Sequence, residues 1–364
     1  MTQTILVTGA TGLIGGGVLQ RMLEADADLT ANVLVRDELR WKRDLHRWGA
    51  LGSRITAVSG DVRVPGMGIE SGTRSRIVDE VSTIVHAAAN TRFSQALEEA
   101  RLSNTVGTSN VLELASQCRA LTRFAFVSTA FVSGRATGMV PERDNGAEAG
   151  WVNSYEQAKY EAECLVRSSG TSWVIFRPTT IVCRGADGVV TQVNGVHRAL
   201  RIYHRGLAAM MPGARENMFD VITGDYVCDA IATLAFDEKA AGRTVHLCSG
   251  KCAPRVGDLL DTAYDVWEQD GEWKRRGLSR AILTDLATYA MFERAVIDTG
   301  DARLKSLISS LSHFVPQLAL PKQFDTSAAD ELLAFAPPPV SEYWGRMLEN
   351  LIATGWGVAD EVAA

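Results

Sequence analysis

The first half of the chain alternates short apolar runs with longer segments whose apolar residues recur at helical spacing. The runs are rich in β-branched residues and lack polar alternation, which is typical of parallel strands that helices cover on both faces. The predicted strands are Thr4–Thr8, Ala31–Arg36, Ile55–Ser59, Thr83–His86, Phe124–Ser128 and Trp173–Arg177. The predicted helices between them are Gly15–Glu24, Glu38–Trp48, Ala96–Gln117 and Ser154–Arg167. This alternation predicts an α/β fold with a doubly wound parallel sheet.

Beyond Pro178 the alternation weakens, and glycine-rich stretches break the chain into short pieces. Thr244–Cys248 is again a predicted buried strand, so we expect residues 218–250 to return to the first sheet. The last part is helix-rich and closes with a predicted helix over Ser341–Thr354. These patterns predict a larger domain of residues 1–182 with the returning segment. They also predict a smaller, discontinuous, helix-rich substrate-binding region of residues 183–217 and 251–364.

Charge and cysteine content narrow the function classes. The 364 residues carry a formal net charge of -6, and an acidic protein is poorly suited to displacing counterions from phosphates, so nucleic acid is not an expected partner. The six cysteines are scattered without the paired spacing of a zinc site, so we expect reduced thiols, no metal and a cytoplasmic location. No run of about 18 apolar residues predicts a membrane span, and the start of the chain lacks a signal-peptide pattern.

A glycine-rich loop, Gly9-Ala-Thr-Gly-Leu-Ile-Gly15, follows the first strand and opens the first helix. Glycines at such a turn let the backbone approach a pyrophosphate, and unpaired N–H groups at the helix start attract its charge. In this context the pattern predicts a Rossmann dinucleotide site, with a plain strand-to-helix turn as the alternative. The predicted cofactor-binding residues of the loop are Gly9, Thr11, Gly12, Leu13, Ile14 and Gly15.

The end of the second strand indicates which nicotinamide cofactor binds. A fold specific for NAD places an acidic residue against the ribose hydroxyls, whereas this chain has Arg36 there, which suits the 2′-phosphate. Asp37 would suit NAD, but the basic residues that follow, Arg43 among them, outweigh it; a solvated helix face is the alternative. We therefore predict NADPH over NADH. Asp61 and Val62 are further predicted cofactor contacts, Asp61 toward the adenine, with a turn-forming Asp as the alternative.

Tyr155 and Lys159 lie one helical turn apart, so both side chains point from one helix face toward the sheet. An ammonium beside a phenol lowers its pKa from about 10, which suits acid–base catalysis at neutral pH. A hydroxyl at the end of the fifth strand can join the phenol on a carbonyl oxygen. Strand alternation lets only one of Ser128 and Thr129 face the cleft, and we choose Thr129. Asn104, in a predicted helix interior, is a further candidate, with a surface Asn as the alternative.

With these pieces in place, the sequence resembles the extended short-chain dehydrogenase/reductases nearly from end to end. Within them it is similar to the branch of fatty acyl-CoA reductases and thioester reductase domains. The motifs that carry the resemblance are Thr8-Gly-Ala-Thr-Gly-Leu-Ile-Gly15, Val35-Arg36, Gly60-Asp-Val62, His86-Ala-Ala-Ala-Asn-Thr-Arg-Phe93, Asn104-Thr-Val-Gly-Thr108, Val127-Ser-Thr-Ala-Phe-Val-Ser-Gly134, Tyr155-xxx-Lys159, Arg177-Pro178, Phe324-Asp-Thr326 and Tyr343-Trp344. The glycine loop, the Tyr–Lys pair and the Arg-Pro step belong to the whole superfamily.

The resemblance implies a catalytic set and a nicotinamide pocket. It implies that Thr129, Tyr155 and Lys159 are catalytic and that Arg36 holds the 2′-phosphate. Asn104, Tyr155 and Lys159 are also expected to contact the cofactor, with Lys159 on the ribose. The residues implied to line the nicotinamide are Ala87, Ala88, Ala89, Pro178, Thr179, Thr180 and Ile181. The chain departs from the branch on the substrate side, at Tyr160 and at Cys183-Arg-Gly185.

The expected function is reduction of an acyl thioester, on CoA or a carrier protein, to an aldehyde with NADPH, and onward to the alcohol in a four-electron version. The alternatives are reduction of a ketone or oxidation of a secondary alcohol, epimerisation of a nucleotide sugar, and a non-catalytic NADP sensor. A sugar nucleotide predicts basic residues in the C-terminal region, whereas an acyl group predicts an apolar pocket. His86, at a strand end, is expected to be structural.

Two segments of the second region bear on the substrate. An apolar stripe within residues 281–314 favours an acyl group, with ordinary core as the alternative. The stripe consists of Leu283, Leu286, Tyr289, Met291, Phe292 and Leu307. The segment His197–Arg205 carries cations at helical spacing that suit the phosphates of CoA or an acidic carrier protein, with a solvated helix face as the alternative.

Overall fold

The computed structural model describes residues 3–302, 305, 308 and 311–358, and its main element is a parallel sheet of seven strands. Numbered in chain order, these strands are β1 Thr4–Thr8, β2 Thr30–Val35, β3 Ile55–Ser59, β4 Val81–His86, β5 Arg123–Val127, β7 Trp173–Pro178 and β11 Thr244–Leu247. Their order across the sheet is β11-β7-β5-β4-β1-β2-β3. The order reverses between β1 and β4, where ligands of such sheets bind beyond the carboxyl ends of the strands. The predicted doubly wound α/β Rossmann fold is confirmed.

Helices cover both faces of the sheet because its strands are apolar on both sides. The helices that flank it are α1 Leu13–Ala25, α2 Glu38–Asp44, α3 Ser71–Glu80, α4 Leu97–Arg101, α5 Gly107–Gln117, α6 Ser154–Ser168 and α8 Gly224–Leu234. Ile5 and Val7 of β1 join a core with α1 and α8, whereas Leu6 joins a core with α3, α5 and α6 on the other face. Alternate residues of one strand therefore serve two separate cores.

The predicted strands of the sheet are present with ends shifted by one or two residues, and β11 pairs with β7, so the chain does return to the first sheet. The predicted helix over Glu38–Trp48 ends earlier, and a 3-10 segment, Leu45–Arg54, follows, because Gly49 adopts a φ of 50°. The predicted helix over Ala96–Gln117 contains a π-helical turn, Leu102–Val106, between α4 and α5. Helix α3 was not predicted.

Most of the remaining described chain builds a third core beside the carboxyl ends of the strands, whereas Ala328 and Ala329 pack into the core of α1 and α8. The short strands of this part of the chain form three parallel pairs, β8 with β10, β9 with β12 and β6 with β13. Those strands are β6 Gly138–Val140, β8 Thr180–Cys183, β9 Met210–Pro212, β10 Val221–Thr223, β12 Ile282–Thr284 and β13 Lys322–Phe324. The remaining helices are α7 Gly195–His204, α9 Val256–Trp267, α10 Gly271–Arg276, α11 Leu286–Asp298, α12 Ser327–Leu332 and α13 Val340–Ala353. The division of the chain into two domains stays a prediction.

Short 3-10 segments complete the described elements: Leu45–Arg54, Pro65–Gly68, Ala130–Ser133, Glu238–Ala240, Gly250–Cys252 and Val315–Ala319. All six cysteines carry free thiols. Within the described ranges, no helix has the length and apolar character needed to cross a bilayer. The same part of the chain has no group of three or more His, Cys, Asp or Glu side chains placed to hold a metal ion.

Candidate active site

The glycine loop between β1 and α1 cannot accept side chains at two positions. Gly9 has a φ of 77°, and a Cβ there would lie 2.6 Å from the backbone carbon of Ala87. A Cβ on Gly15 would lie 2.4 Å from the carbonyl oxygen of Gly9. No side chain caps the start of α1, while Thr11 and Gly12 are exposed. The loop thus offers bare backbone and a helix start, which fits the pyrophosphate of a dinucleotide.

The loop after β4 faces the glycine loop and is held by buried hydroxyls. The Thr8 hydroxyl accepts a hydrogen bond from the amide of Ala88 at 3.2 Å. It also contacts Nδ1 of His86 at 2.7 Å, and Nε2 of His86 lies 3.0 Å from the Thr108 hydroxyl. Burial lowers the pKa of His86 to about 3, so this imidazole is neutral. These contacts agree with the assignment of His86 as a structural histidine. The backbone of Ala87 and Ala88 lies directly against Gly9 of the glycine loop.

Asn104 lies in the π-helical turn and is completely buried. Its Oδ1 accepts from the amide of Asn90 at 2.9 Å, and its Nδ2 donates to the carbonyl of Asn90 at 3.1 Å. The side chain therefore fixes the end of the loop that follows Ala89. A direct catalytic or cofactor contact of Asn104 stays a prediction, whereas its positioning of this loop is visible.

Tyr155 and Thr129 meet at the carboxyl end of β5. Both are buried, and the Thr129 hydroxyl lies near the phenol while donating to the carbonyl of Pro178 at 3.5 Å. The ring of Phe93 packs 5.5 Å from that of Tyr155. Ser128 instead lies beside the buried carboxylate of Glu163. Ser128 and Thr129 thus have different neighbours, and the catalytic role of Thr129 stays a prediction.

Lys159 is buried beneath the same strand. Its Nζ donates to the carbonyl of Val127 at 2.7 Å and lies 4.0 Å from the ring centroid of Phe126. Burial lowers the pKa of Lys159 to about 7, although the carboxylate of Glu163 opposes the shift. The two predicted partners thus share one site at the mouth of the sheet and neither faces solvent.

The predicted lowering of the Tyr155 pKa by Lys159 is wrong for this arrangement. Burial raises the pKa of the phenol above its usual range, and the carboxylate of Glu156 raises it further. The ammonium of Lys159 bonds to the Val127 carbonyl instead. Tyr155 is therefore fully protonated at neutral pH, which suits a proton donor.

The predicted adenosine-binding residues lie around the ends of β2 and β3. Arg36 is exposed, and its charge lowers the pKa of Asp61. The carboxylate of Asp61 accepts from the guanidinium of Arg63 at 2.6 Å and from its amide at 2.9 Å, so it also forms the turn that was the alternative.

Asp37 caps α2 through the amide of Arg40 at 2.9 Å. Val62 is buried, and Arg43 is exposed on α2.

Asp220 organises the segment Pro178–Ile181 and was missed by the sequence analysis. The Thr179 hydroxyl donates to its Oδ1 at 2.6 Å, the amide of Ser249 does so at 3.0 Å, and the amide of Gly250 donates to Oδ2 at 2.8 Å. Burial raises the pKa of Asp220 to about 6. No motif marks this residue, because its partners come from distant parts of the chain. Thr180 and Ile181 begin β8 directly after these contacts.

The predicted cationic segment is less basic than its sequence implies. His197 is buried, its Nε2 contacts the carbonyl of Val182 at 2.7 Å, and burial lowers its pKa to about 4. His204 is also buried, among aromatic rings. Arg198 and Arg205 are exposed, as a solvated helix face requires. The expectation that both histidines belong to a surface cation stripe is wrong.

A small apolar cavity of about 50 Å³ lies in the third core. Its lining comes from α7, α9 and neighbouring segments: Val196, Ala199, Leu200, Tyr203, Met211, Phe219, Val256, Leu259, Leu260, Phe314, Leu318 and Trp344. The predicted apolar stripe does not line it; Met291 is 73% exposed, Tyr289 is core, and Leu307 lies outside the described residues. The predicted stripe is therefore not the lining of this cavity, and an acyl-binding pocket stays a prediction.

The sequence matches a known protein family and several known proteins. The male sterility protein family matches residues 7–231. Fatty acyl-CoA reductase wat of Drosophila melanogaster is 23% identical over 304 residues, which cover 72% of this chain and 54% of that protein. The chain thus spans about half the length of the fly relatives it matches.

Two solved structures share the fold. The terminal R domain from the myxalamid PKS-NRPS biosynthetic pathway superposes with a TM-score of 0.79 at 24% identity, over 98% of this chain and 92% of that one. UDP-glucuronic acid 4-epimerase from Bacillus cereus, in complex with NAD, superposes with a TM-score of 0.67 at 16% identity, over 98% of this chain and all of that one. The matched family, the Rossmann sheet and the bare glycine loop together show that the chain belongs to the male sterility protein family of extended short-chain dehydrogenase/reductases and is an NAD(P)-dependent oxidoreductase.

Proposed function

We propose that the protein reduces an acyl thioester to an aldehyde with NADPH. The observation that carries this proposal is the pair of neighbouring hydroxyls, Thr129 and Tyr155, at the carboxyl end of β5, which only β4 separates from the strand that leads into the Gly9 loop. Two donors aimed at one oxygen stabilise the negative charge that develops on a carbonyl during reduction.

The residues present fit a nicotinamide dinucleotide. The side-chain-free loop from Gly9 to Gly15 would hold the pyrophosphate, and the walls Ala87–Ala89 and Pro178–Ile181 would hold the nicotinamide. NADPH is favoured because Arg36 is exposed at the end of β2, whereas Asp37 is engaged as the cap of α2. The bound cofactor supplies a hydride to the carbonyl carbon.

Side chains of this protein hold the substrate carbonyl and supply the proton. Thr129 and Tyr155 hold the carbonyl oxygen, and Tyr155, which is protonated at neutral pH, delivers its proton to that oxygen. The C–S bond then breaks, the thiol leaves with a proton, and the aldehyde remains. Lys159 holds the end of β5 in place and is partly protonated near pH 7, so it is suited to return a proton toward the phenol.

An acyl group is the favoured substrate class because the relatives include fatty acyl-CoA reductases and because the apolar third core reaches the site through Phe93, which packs against Tyr155. CoA and acyl or peptidyl carrier proteins are the proposed thiol carriers, since the relatives include fatty acyl-CoA reductases and the shared fold occurs in a thiolation-reductase di-domain.

The test is incubation of the purified protein with NADPH and a panel of acyl-CoA and acyl-carrier thioesters, with products identified by mass spectrometry. Aldehyde formation is expected. Tyr155→Phe should retain cofactor binding and lose turnover at least a hundredfold, because it removes the proton donor. Reduction of a ketone panel with no reaction of any thioester would instead assign the chain to the ketone alternative.

A further inference from the structure

A buried polar bridge connects the catalytic helix α6 to the segment before β13. Oε1 of Glu156 accepts from Nε2 of Gln317 at 2.7 Å, and Oε1 of Gln317 accepts from Nζ of Lys322 at 3.0 Å. Lys322 also donates to the carbonyl of Gly134 at 2.6 Å. Glu156, Gln317 and Lys322 are 1%, 5% and 7% exposed. We call these three residues the 156–317–322 bridge.

The two ends of the bridge adjoin the two hydroxyls of the active site. Glu156 follows Tyr155 directly in α6, and Asn153, which caps this helix, also donates to Glu156 at 3.0 Å. At the other end, Gly134 closes the 3-10 turn Ala130–Ser133, which Thr129 caps. The bridge thus spans from the residue after the phenol to the turn after the threonine.

Such a bridge is costly to bury, because two charged groups lose their hydration and similar apolar residues would often be more stable. A role beyond stability is therefore expected. Neither the glycine loop nor Lys159 takes part in it, so cofactor binding does not explain it.

We propose that Glu156, Gln317 and Lys322 are positioning residues that hold the Thr129 and Tyr155 hydroxyls on one carbonyl oxygen. Segment 315–324 thereby becomes part of the catalytic unit. The inference rests on the role of the two hydroxyls in the proposed function. Glu156 also sets the electrostatics of the phenol, since its charge raises the pKa of Tyr155.

Several groups face this part of α6. Tyr155 is faced by Thr129 from β5 and by the uncharged ring of Phe93, while Lys159 lies one turn along its own helix. Glu156 is contacted by the amide of Val152, the side chains of Asn153 and Gln317, and, through space, the charge of Lys322. Burial raises the pKa of Glu156 to about 7, so above that pH its carboxylate bears a negative charge next to the phenol, and removal of this charge should lower the pKa of Tyr155.

Glu156→Gln is the decisive variant, because it keeps the size of the side chain and removes the charge. We expect kcat to fall about tenfold while KM and the NADPH affinity change much less, because the two hydroxyls lose their alignment and the binding surfaces do not. Glu161→Gln, on the same helix and paired with Arg101 at 2.6 Å, is the matched control and should leave kcat in place. An unchanged kcat in Glu156→Gln would overturn the proposal.

Gln317→Met is the second variant in case Glu156→Gln does not fold. It removes the middle of the bridge and should lower kcat more than it changes KM or the NADPH affinity. A proportional loss of kcat, NADPH binding and melting temperature would show a merely structural role and overturn the inference.

A readout without substrate separates this inference from the proposed function. Tyrosine labelled at its ring carbons gives NMR signals that report the surroundings of the Tyr155 ring, assigned with Tyr155→Phe. A displaced Tyr155 signal in Gln317→Met, with the signals of the other tyrosines in place, would support the bridge even if no thioester reacts, whereas an unchanged signal would contradict the bridge even in an active thioester reductase.

Discussion

The behaviour of Tyr155 and Lys159 depends on burial more than on their spacing. Four residues of separation place both side chains on one face of α6, as predicted from the sequence. The spacing does not reveal that the lysine bonds to the Val127 carbonyl or that both groups are almost fully removed from water. Desolvation penalises the charged form of each group, so the phenol is a weaker acid and the ammonium a stronger one than in solution.

Lys159→Met is expected to stabilise the fold while abolishing turnover. The pKa of Lys159 falls from its usual 10.5 to about 7 in the folded protein. Below pH 7 both the folded and unfolded states carry the proton, so the folded state bears the whole cost of burying the charge. Between pH 7 and about 10.5 the folded state is neutral and this cost shrinks as pH rises.

Melting curves of both proteins at pH 6 and pH 9 test this prediction. The variant should melt several degrees higher at pH 6, with a smaller advantage at pH 9. Lys42→Met, at an exposed lysine of α2, is the control and should show no such pH dependence. An advantage of equal size at both pH values would contradict the cost assigned to Lys159.

Sequence reasoning selects the residues that local patterns mark. Strand alternation selects Thr129, and the position between strand and helix selects the loop Gly9–Gly15, while the roles of both stay predictions. Asp220, Gln317 and Lys322 were missed, because each acts on groups far away in the chain and no spacing records such contacts.

At the scale of elements, Asp220 joins segments at the ends of four strands, β7, β8, β10 and β11. It binds Thr179 between β7 and β8, directly precedes β10 and accepts from two amides after β11. Asp220→Asn replaces one acceptor oxygen with an NH₂ group that faces an N–H donor. We expect a loss of about 1–3 kcal/mol in the free energy of unfolding, measured in urea.

Asp261→Asn is the control for Asp220→Asn. Asp261 forms an exposed pair with Arg215, and such a pair contributes about 1 kcal/mol or less. Equal losses in the two variants would show that Asp220 does not join the strands.

Elements were predictable where apolar periodicity is strong. The seven sheet strands are short apolar runs, and each was found. The pairs of three-residue strands, such as Met210–Pro212 with Ile282–Thr284, were not, because three residues hold no measurable period. Likewise, the 3-10 segment after Asp44 depends on the positive φ of one glycine, Gly49, and apolar spacing does not report it.

At the scale of the whole molecule, the preference for NADPH or NADH should be measurable as a difference in melting temperature. A ligand at 100 times its Kd stabilises the folded state by about 2.7 kcal/mol, so NADPH should raise the melting temperature more than NADH at equal concentration. Arg36→Leu should weaken NADPH about tenfold or more and leave NADH unchanged, because only NADPH carries the 2′-phosphate.

Arg119→Leu, at an exposed residue paired with Asp79 and outside the basic cluster that follows Asp37, is the control for that variant. It should affect both cofactors equally and weakly. A preference of the unaltered protein for NADH would contradict the assignment of Arg36.

The return of β11 to the edge of the sheet limits how this protein can be divided. Helix α8 covers α1, with Arg21 paired to Asp225 at 2.7 Å, and β11 occupies the hydrogen-bonding edge of β7. A fragment expressed as residues 1–182 would lack both and would leave a bare strand edge, which is a template for aggregation. The cofactor half is therefore not a portable module: grafts and chimeras would need to carry residues 218–250 along with it.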